Sequence, residues 1–521
     1  MNTVVRTGGL RGIDGFPVNV EVDLSRGLPA FHLVGLPNTA VRESRERVLS
    51  AIRNSGRRLP GGRVTVNLAP ADVRKEGAGH DLAIAVAVIM AERGRRGRVA
   101  PAVDRGLLVG ELSLFGEVRP VRGLLAMALD ARGRGETCMA VPSCQAWEAA
   151  LVPGLDVVPV ATLEEAVAWF VHGRRPVGGA GGADTGPGVA ADPPASPLTG
   201  LVLARQPLAA RAAMVAAAGR HHLLLTGPPG AGKTRLARLL GALLPDLAPA
   251  EALEVTRIHS AAGLLAGAGM VRRPPLRAPH HTTTAAGLLG GGPALRPGEV
   301  TLAHHGVLLL DELAEFPVRV LDALREPLVD GEVRVVRGAG QRCFPARCQL
   351  VATTNPCRCG FLGSRLRSCT CADGALARYR ARLSGPLRDR FDLAVDMGDG
   401  DAERLTAMSA DATPVEPADH LPALRRRIEA ARRLLADAGD PPSHWDLARQ
   451  VRGHGLDPAA IEVLEAARRP LSLTSRGLLR ACRVARTLAA LEARRRVTAA
   501  DMRGALVLRN ETPAGLAAAG G

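Results

Sequence analysis

Lysine, aromatic side chains and long apolar runs are scarce in this 521-residue chain. Lysine occurs only as Lys75 and Lys233, and the other 65 basic residues are arginines. Aromatic residues make up 2% of the chain, which argues against single-strand nucleic-acid binding by stacked aromatic side chains. No apolar run approaches the ~20 residues that a membrane-spanning helix needs, and no secretory signal is evident at the N-terminus. We therefore expect a cytoplasmic protein with no membrane partner.

The charge balance is strongly basic and predicts a polyanionic partner. The formal net charge is +16 and the isoelectric point is near 10.8. Residues 421–510 hold 18 arginines against nine acidic residues, so more than half of the excess lies there. The alternative is a compositional preference for arginine that adds no positive surface. We favour DNA as the partner, bound through phosphate contacts that are salt-sensitive and only weakly sequence-specific.

Nine cysteines in a chain expected to be cytoplasmic do not predict a disulfide framework. Four of them form two C-x-C pairs separated by nine residues: Cys357, Cys359, Cys369 and Cys371. Four thiolates can bind Zn²⁺ tetrahedrally, and such a site is structural because no coordination position stays open. Zinc knuckles more often place two residues between the cysteines, and the alternative is four reduced thiols in a surface loop, where they would be reactive. We expect a structural zinc ion.

The second lysine lies in a glycine-rich loop that matches G-x-x-x-x-G-K-[ST]. The loop is Gly227-Pro228-Pro229-Gly230-Ala231-Gly232-Lys233-Thr234. A strand-like apolar segment precedes it and a helical segment follows, which directs backbone N–H groups and the helix dipole at bound phosphates. The compact lysine ammonium fits between phosphate oxygens where a planar guanidinium would not. The chain is therefore expected to bind ATP.

Two later apolar segments end in polar residues suited to ATP hydrolysis. Residues 306–310 lead to Asp311 and Glu312; Asp311 would hold Mg²⁺ together with Thr234, and Glu312 would polarise the attacking water. Residues 350–354 lead to Asn355. This side chain would orient the same water, or else it only forms a turn before a proline.

The order of these motifs, followed by Leu387-Arg388-Asp389-Arg390-Phe391, resembles that of AAA+ ATPases. Arg390 matches the arginine finger that contacts the nucleotide of the neighbouring subunit, with Arg388 as the alternative. Arg476 resembles the sensor-2 arginine. Three further segments are similar to the magnesium-chelatase-like AAA+ ATPases of the YifB/ComM family: His280-His281-Thr282-Thr283-Thr284, Arg296-Pro297-Gly298-Glu299 and Asn355-Pro356-Cys357-Arg358-Cys359-Gly360.

This resemblance runs from about residue 8 to residue 510. It implies a hexameric ring that hydrolyses ATP at subunit interfaces. For ComM-like members it also implies helicase-like branch migration of DNA during natural transformation and recombination.

Composition and pattern divide the chain into four regions. Residues 1–175 predict an α/β domain, and residues 176–197 a flexible linker rich in Gly, Ala and Pro. Residues 198–400 predict a P-loop AAA+ core with a parallel sheet and the cysteine loop, and residues 401–510 a C-terminal helical lid. The fold class is therefore α/β.

The first region resembles the protease domain of Lon-type enzymes in residues 70–77 and 109–121. By that alignment the catalytic serine position falls at Gly79 and the lysine position at Leu125. Neither side chain can act as nucleophile or base, so we expect no peptidase activity. Lys75, also in this region, is interpreted as a cation that caps a loop.

The leading hypothesis is an ATP-driven motor on DNA. Arg334, Arg337 and Arg342 lie in residues 332–345, which could form a hairpin that contacts phosphates in the ring channel. The alternative is a chelatase-type ATPase that drives metal insertion or remodels a protein partner.

Overall fold

The computed structural model describes residues 3–36, 39–95, 103, 106–176, 206–265, 267, 269–292, 295–337, 340–364, 367–383, 385–398, 421–439, 447–471 and 473–509. The predicted linker, apart from Pro176, and the first twenty residues of the predicted lid fall outside them. In the described part of the chain, no helix is long and apolar enough to cross a membrane.

The strands follow in chain order. They are β1 (Thr3–Arg11), β2 (Asp14–Ser25), β3 (Ala30–Val34), β4 (Arg63–Ala69), β5 (Gly106–Leu108), β6 (Glu111–Leu112), β7 (Val118–Arg119), β8 (Cys138–Pro142), β9 (Asp156–Val160), β10 (Leu223–Thr226), β11 (Leu276–Arg277), β12 (Gly290–Gly291), β13 (Arg296–Pro297), β14 (Val307–Leu310), β15 (Glu332–Arg337), β16 (Gly340–Pro345), β17 (Gln349–Thr354) and β18 (Leu393–Asp396).

The α-helices are numbered in the same way. They are α1 (Thr39–Asn54), α2 (Asp81–Arg95), α3 (Leu124–Gly133), α4 (Ala146–Ala150), α5 (Leu163–His172), α6 (Pro207–Gly219), α7 (Lys233–Leu243), α8 (Pro249–Ala262), α9 (Ala285–Leu289), α10 (Glu299–Leu302), α11 (Val318–Asp322), α12 (Pro327–Asp330), α13 (Asp373–Ala381), α14 (Gly385–Arg388), α15 (Leu421–Ala438), α16 (Leu447–Gly453), α17 (Pro458–Arg468), α18 (Ser475–Leu491) and α19 (Ala499–Leu508).

The described residues form two compact units that do not follow chain order. The first unit falls within Met1–Val189, Ala248–Arg272 and Gly291–Pro297. The second falls within Ala190–Leu247, Arg273–Gly290 and Gly298–Gly521. Two segments that the sequence places inside the ATPase core, including the whole of α8, therefore belong to the N-terminal unit.

The first unit is built on a mixed seven-stranded sheet with strand order β3-β4-β2-β1-β5-β8-β9. Strands β1, β2 and β4 pair antiparallel, whereas β5, β8 and β9 pair parallel. Helix α2 is buried from Asp81 to Glu92 because it is apolar on all sides, and it packs against β1, β2, α1 and α5. The predicted α/β class is confirmed, and the likeness to Lon-type domains remains a prediction.

Lys75 is fully buried in this unit. Its ammonium donates a hydrogen bond to the carbonyl of Pro70, and its backbone N–H donates to Leu36 O at 3.3 Å. Burial lowers the pKa of Lys75, and the nearby Asp72 carboxylate opposes that shift. These contacts agree with the interpretation of Lys75 as a loop-capping cation.

The second unit contains a five-stranded parallel sheet with strand order β11-β14-β17-β10-β18. Its central strands are apolar and buried, as expected of strands covered on both faces. Helices α6, α15, α18 and α19 contribute to one hydrophobic core with β10 and β18. The C-terminal helices therefore pack directly onto the nucleotide-binding fold.

Asp392, just before β18, is a buried polar link between the sheet and the C-terminal helices. Its carboxylate accepts a hydrogen bond from His222 N at 3.0 Å, and it lies 3.8 Å from His221 Nδ1 and 3.5 Å from Arg480 Nε on α18. Burial would raise the pKa of Asp392, but His221 and His222 outweigh burial and lower it. A carboxylate held ionised here connects β10, β18 and α18.

Candidate nucleotide-binding site

The glycine-rich loop connects β10 to α7 at the carboxyl edge of the parallel sheet. Gly230 and Gly232 have φ values of 81° and 88°, in the left-handed region that favours glycine. Helix α7 begins at Lys233, so its free N–H groups and the positive end of its dipole face the loop. The predicted strand, loop and helix context is therefore present.

The Lys233 ammonium is folded back onto the loop. It donates to Gly227 O at 2.6 Å, to Pro228 O at 2.8 Å and to Asn355 Oδ1 at 3.0 Å. Burial lowers the pKa of Lys233, and the carboxylates of Asp311, Glu312 and Asp396 oppose the shift. The acceptors around the ammonium are neutral oxygens, so incoming phosphate oxygens can replace them with a stronger charge-assisted contact.

Thr234 and Asp311 converge on one point, as a divalent-cation site requires. Thr234 Oγ1 lies 3.0 Å from both Asp311 Oδ1 and Asp311 Oδ2. A hydroxyl and a carboxylate are oxygen ligands of the kind that Mg²⁺ prefers. The pair therefore fits Mg²⁺.

Glu312 adopts a left-handed backbone conformation, with φ 55°. Its backbone N–H donates to Thr353 Oγ1 at 3.1 Å, and the Thr353 hydroxyl in turn contacts Asp311. Non-glycine residues in this region are strained, and such strain concentrates at functional sites. The conformation leaves the Glu312 side chain exposed beside Asp311.

The structure brings Lys233, Thr234, Asp311 and Asn355 together, with Glu312 beside them, because β14, β17 and β10 are adjacent and parallel. In that register Leu310 pairs with Ala352 and Thr226 pairs with Thr354. Each polar residue therefore follows its strand at the same edge of the sheet.

The two candidate finger arginines lie at the other edge. Arg388 and Arg390 precede β18, whose Leu393 pairs with Leu223 at the start of β10. The loop follows the end of β10, four residues further on, which is a span of about 13 Å along the strand. Arg390 is half-buried and Arg388 is exposed. Arg390 is thus directed away from the nucleotide loop of its own subunit.

Arg476, the candidate sensor-2 residue, lies in the first turn of α18. Thr474 caps this helix by accepting a hydrogen bond from Gly477 N at 3.2 Å. The Arg476 side chain is exposed. It is therefore available to a bound ligand but is not part of the cluster around Lys233.

Two residues near the cluster were missed by the sequence interpretation. Thr353 joins Asp311 to the backbone of Glu312, and Tyr379 on α13 is hydrogen-bonded to the Thr354 side chain and to the backbone of Asn355. Burial raises the pKa of Tyr379. The Thr353-Thr354 pair at the end of a buried strand was a usable signal, whereas Tyr379 reaches the site only through tertiary packing.

The four clustered cysteines converge in the loop after Asn355. Their sulfur atoms all lie within 4.8 Å of one another, and the Cys357–Cys359, Cys359–Cys369 and Cys357–Cys369 separations are 3.3, 3.5 and 3.7 Å. Tetrahedral zinc with Zn–S bonds of 2.3 Å requires separations of about 3.8 Å. Hydrogen bonds from the backbone N–H groups of Phe361 and Thr370 lower the pKa of Cys359 to about 5. The donor set therefore fits Zn²⁺.

The cysteine loop packs against the nucleotide loop. Gly360 has φ 86°, and a Cβ atom there would lie 2.6 Å from Cδ of Pro229. Only glycine fits at this contact, which joins the cysteine cluster to the P-loop.

Strands β15 and β16 form the hairpin that the sequence suggested, and they pair antiparallel from Glu332–Pro345 to Arg337–Gly340. Arg334 is exposed and pairs with Glu332, with an Nη2–Oε1 distance of 2.6 Å. Arg342 is half-buried, and the Arg337 side chain falls outside the described residues. The Arg334 charge is thus partly balanced within the hairpin.

Comparison with family models gives three matches that together cover most of the chain. Residues 202–405 match the family described as magnesium chelatase, subunit ChlI. Residues 20–145 match subunit ChlI of Mg-chelatase, and residues 422–509 match the C-terminal part of subunit ChlI.

Several curated proteins are similar over nearly their whole length. An uncharacterized protein of Mycobacterium tuberculosis is 44% identical over 493 residues, which is 93% of this chain and 94% of the relative. YifB of Escherichia coli, also called uncharacterized, is 36% identical over 94% of this chain and 93% of its own. Competence protein ComM of Haemophilus influenzae is 34% identical over 95% and 94%. A shorter match, 29% identical over 50% of this chain and 55% of the relative, is to Holliday junction branch migration complex subunit RuvB of an Anaeromyxobacter strain.

Lys233 and Glu312 should affect nucleotide binding and turnover differently. Lys233→Ala removes the charge-assisted phosphate contacts, so ATP affinity should fall about 10–100-fold or more. Glu312→Gln keeps the shape of the site but removes the base, so turnover should fall about 10²–10⁴-fold while ATP affinity is retained. Fluorescent-nucleotide titration and phosphate release measure the two quantities.

Glu315→Gln is the matched control, because Glu315 is three residues further along, exposed, and paired with Arg382. It should leave both quantities unchanged. Normal turnover in Glu312→Gln would contradict the role assigned to Glu312.

Proposed function

The chain belongs to the YifB/ComM family of magnesium-chelatase-like AAA+ ATPases, and we propose that it is a cytoplasmic, hexameric ring motor that hydrolyses ATP and moves DNA strands. Family membership implies the ATPase. The position of Arg390 relative to the nucleotide loop is the observation that most directly supports the ring.

The residues around Lys233 divide the hydrolysis reaction among them. Lys233 binds the β- and γ-phosphates, and Asn355, already in contact with the ammonium, orients the attacking water. Glu312 accepts the proton from that water as it attacks. Mg²⁺, held by Thr234 and Asp311, would neutralise charge on the phosphate oxygens.

Arg390 completes the site only from a neighbouring subunit. It precedes β18, whereas the P-loop follows the other end of the adjacent strand β10. Asp392 and His222 hold the segment in place. A guanidinium supplied in trans makes hydrolysis depend on assembly.

The choice of DNA rests on charge and on the relatives. The net charge is +16, and two relatives carry names that refer to competence and to branch migration of Holliday junctions. The β15–β16 hairpin presents exposed arginine next to the strand that leads to Asn355. We therefore propose helicase-like branch migration in recombination and natural transformation.

A chelatase-type motor is the competing function, because the matching family models are those of a chelatase subunit. The deciding measurement is the ATPase rate alone and with single-stranded, duplex or Holliday-junction DNA. Stimulation by DNA supports the DNA motor. A rate unaffected by every DNA form, with ring assembly verified, would contradict it.

The hairpin arginines should determine the salt dependence of DNA binding. In the triple variant Arg334→Ala, Arg337→Ala and Arg342→Ala, the slope of log affinity against log salt should flatten by about 0.9 for each duplex phosphate that the protein no longer neutralises. The flattening should be smaller than three fully available arginines would give, because Arg334 is already paired with Glu332. DNA-stimulated ATPase should be abolished and the basal rate kept.

A triple alanine variant at Arg26, Arg53 and Arg58, all exposed in the first unit, changes the net charge equally and serves as the control. An equal flattening of the slope in this control would mean that the effect follows net charge rather than the hairpin.

Arg390→Ala should lower ATP turnover about 10³-fold or more while DNA still binds. Subunits carrying Arg390→Ala mixed with subunits carrying Lys233→Ala should recover part of the activity, because a mixed ring pairs an intact pocket with an intact finger. Arg388→Ala is the control and should remain active. If sizing shows mixed rings but no activity returns, Arg390 does not act in trans.

We also propose that the four cysteines hold one structural Zn²⁺ per chain. Cys369→Ser should lose the metal and, because Gly360 packs on Pro229, should weaken nucleotide binding as well. Elemental analysis of protein purified without chelator gives the stoichiometry. Cys144→Ser, at an exposed cysteine outside the cluster, should change neither property. Metal-free protein with unchanged nucleotide affinity would rule the site out.

A further inference from the structure

The N-terminal unit contains a cavity of about 410 Å³ that the ATPase function does not use. Every residue that lines it belongs to this unit. The cavity lies where residues 76–80 lead into α2, and it is completed by Ala261 of α8 and by Arg296 and Pro297 of β13. Its volume is within the range of ordinary ligand sites.

His80 is the most constrained polar group in the lining. It is 2% exposed, and its Nδ1 atom is buried without a hydrogen-bond partner among the described residues. Burial and the charge of Lys75 lower the pKa of His80 to about 4, so the ring is neutral at pH 7. A neutral imidazole can donate to or accept from a ligand, and a buried unpaired nitrogen favours a ligand that supplies a partner.

The rim carries charges of both signs. Arg122 and Arg296 are exposed, and Glu76 and Glu111 are half-buried. The two carboxylates disfavour a polyanion such as nucleic acid. In the described part of the chain these carboxylates and His80 do not converge closely enough to form a metal site.

The rest of the lining is apolar or open backbone. Leu10, Val121 and Met127 contribute apolar surface. Gly77 is exposed, and no atom lies within 4 Å of where its Cβ would be, so another backbone can approach. At Gly79 a Cβ would meet Val121 at 3.5 Å, an ordinary contact distance, so this wall is not crowded.

We propose that this cavity binds an extended peptide segment of a partner protein. A peptide offers backbone donors and acceptors to His80 and the glycine-rich wall, an apolar side chain to the floor, and charged side chains of either sign to the rim. The site is separate from the nucleotide cluster, so the proposal does not depend on the DNA-motor function.

The test uses the full chain and a displayed library of random dodecapeptides. Peptides enriched on the unmodified protein are synthesised, and their affinities are measured by fluorescence anisotropy. Ala78→Trp fills the cavity and should weaken binding at least tenfold. Ala71→Trp, in an exposed position of the same loop region outside the lining, should not change it.

A surface charge reversal gives a second variant that cannot be confused with misfolding. Arg122→Glu should shift affinity for enriched peptides that carry charge at least fivefold, whereas Arg119→Glu, also exposed but outside the lining, should not. The basal ATPase rate should be unchanged in all four variants. No enrichment, equal affinity for Ala78→Trp, or displacement of the peptides by single-stranded DNA would overturn the proposal.

Discussion

The parallel pairing of β14, β17, β10 and β18 determines where the chemistry of this protein can occur. Because the four strands run in one direction and in close register, Lys233, Asp311 and Asn355 emerge at one edge of the sheet. The same register places the segment with Arg390 at the opposite edge. A single subunit therefore carries a nucleotide pocket and a guanidinium that face away from each other, which is the arrangement that a closed ring can use.

The contacts around this sheet connect the pocket to more distant parts of the second unit. Gly360 joins the cysteine cluster to the P-loop through Pro229, and Tyr379 joins α13 to the strand that ends at Asn355. At the other edge Asp392 joins β10 to α18. A change at the pocket can thus reach the cysteine loop through direct packing and the C-terminal helices through the sheet itself.

Much of the second unit could be predicted from the sequence because its signals are local. A glycine loop between a strand and a helix, apolar runs ending in Asp-Glu or Asn, and a strand pair around residues 338 and 339 are each short patterns with one dominant structural solution. Contacts between distant residues could not be predicted. Nothing in the sequence near Tyr379 or Gly360 specifies Thr354 or Pro229 as its partner. The apolar positions of α8 likewise predict a buried face but not which unit covers it.

The membership of α8 in the N-terminal unit has a consequence for how this protein can be divided. Its buried Val255 and Ile258 and the hydrogen bond from Ser260 Oγ to Glu148, 2.6 Å long, belong to a unit encoded mostly before residue 176. Cutting the gene at the linker would therefore separate the N-terminal unit from one of its helices and leave that helix without its partners in the other fragment. Such a chain evolves as one piece, because exchange of its N-terminal part with that of a relative must bring along matching residues from the middle of the ATPase sequence.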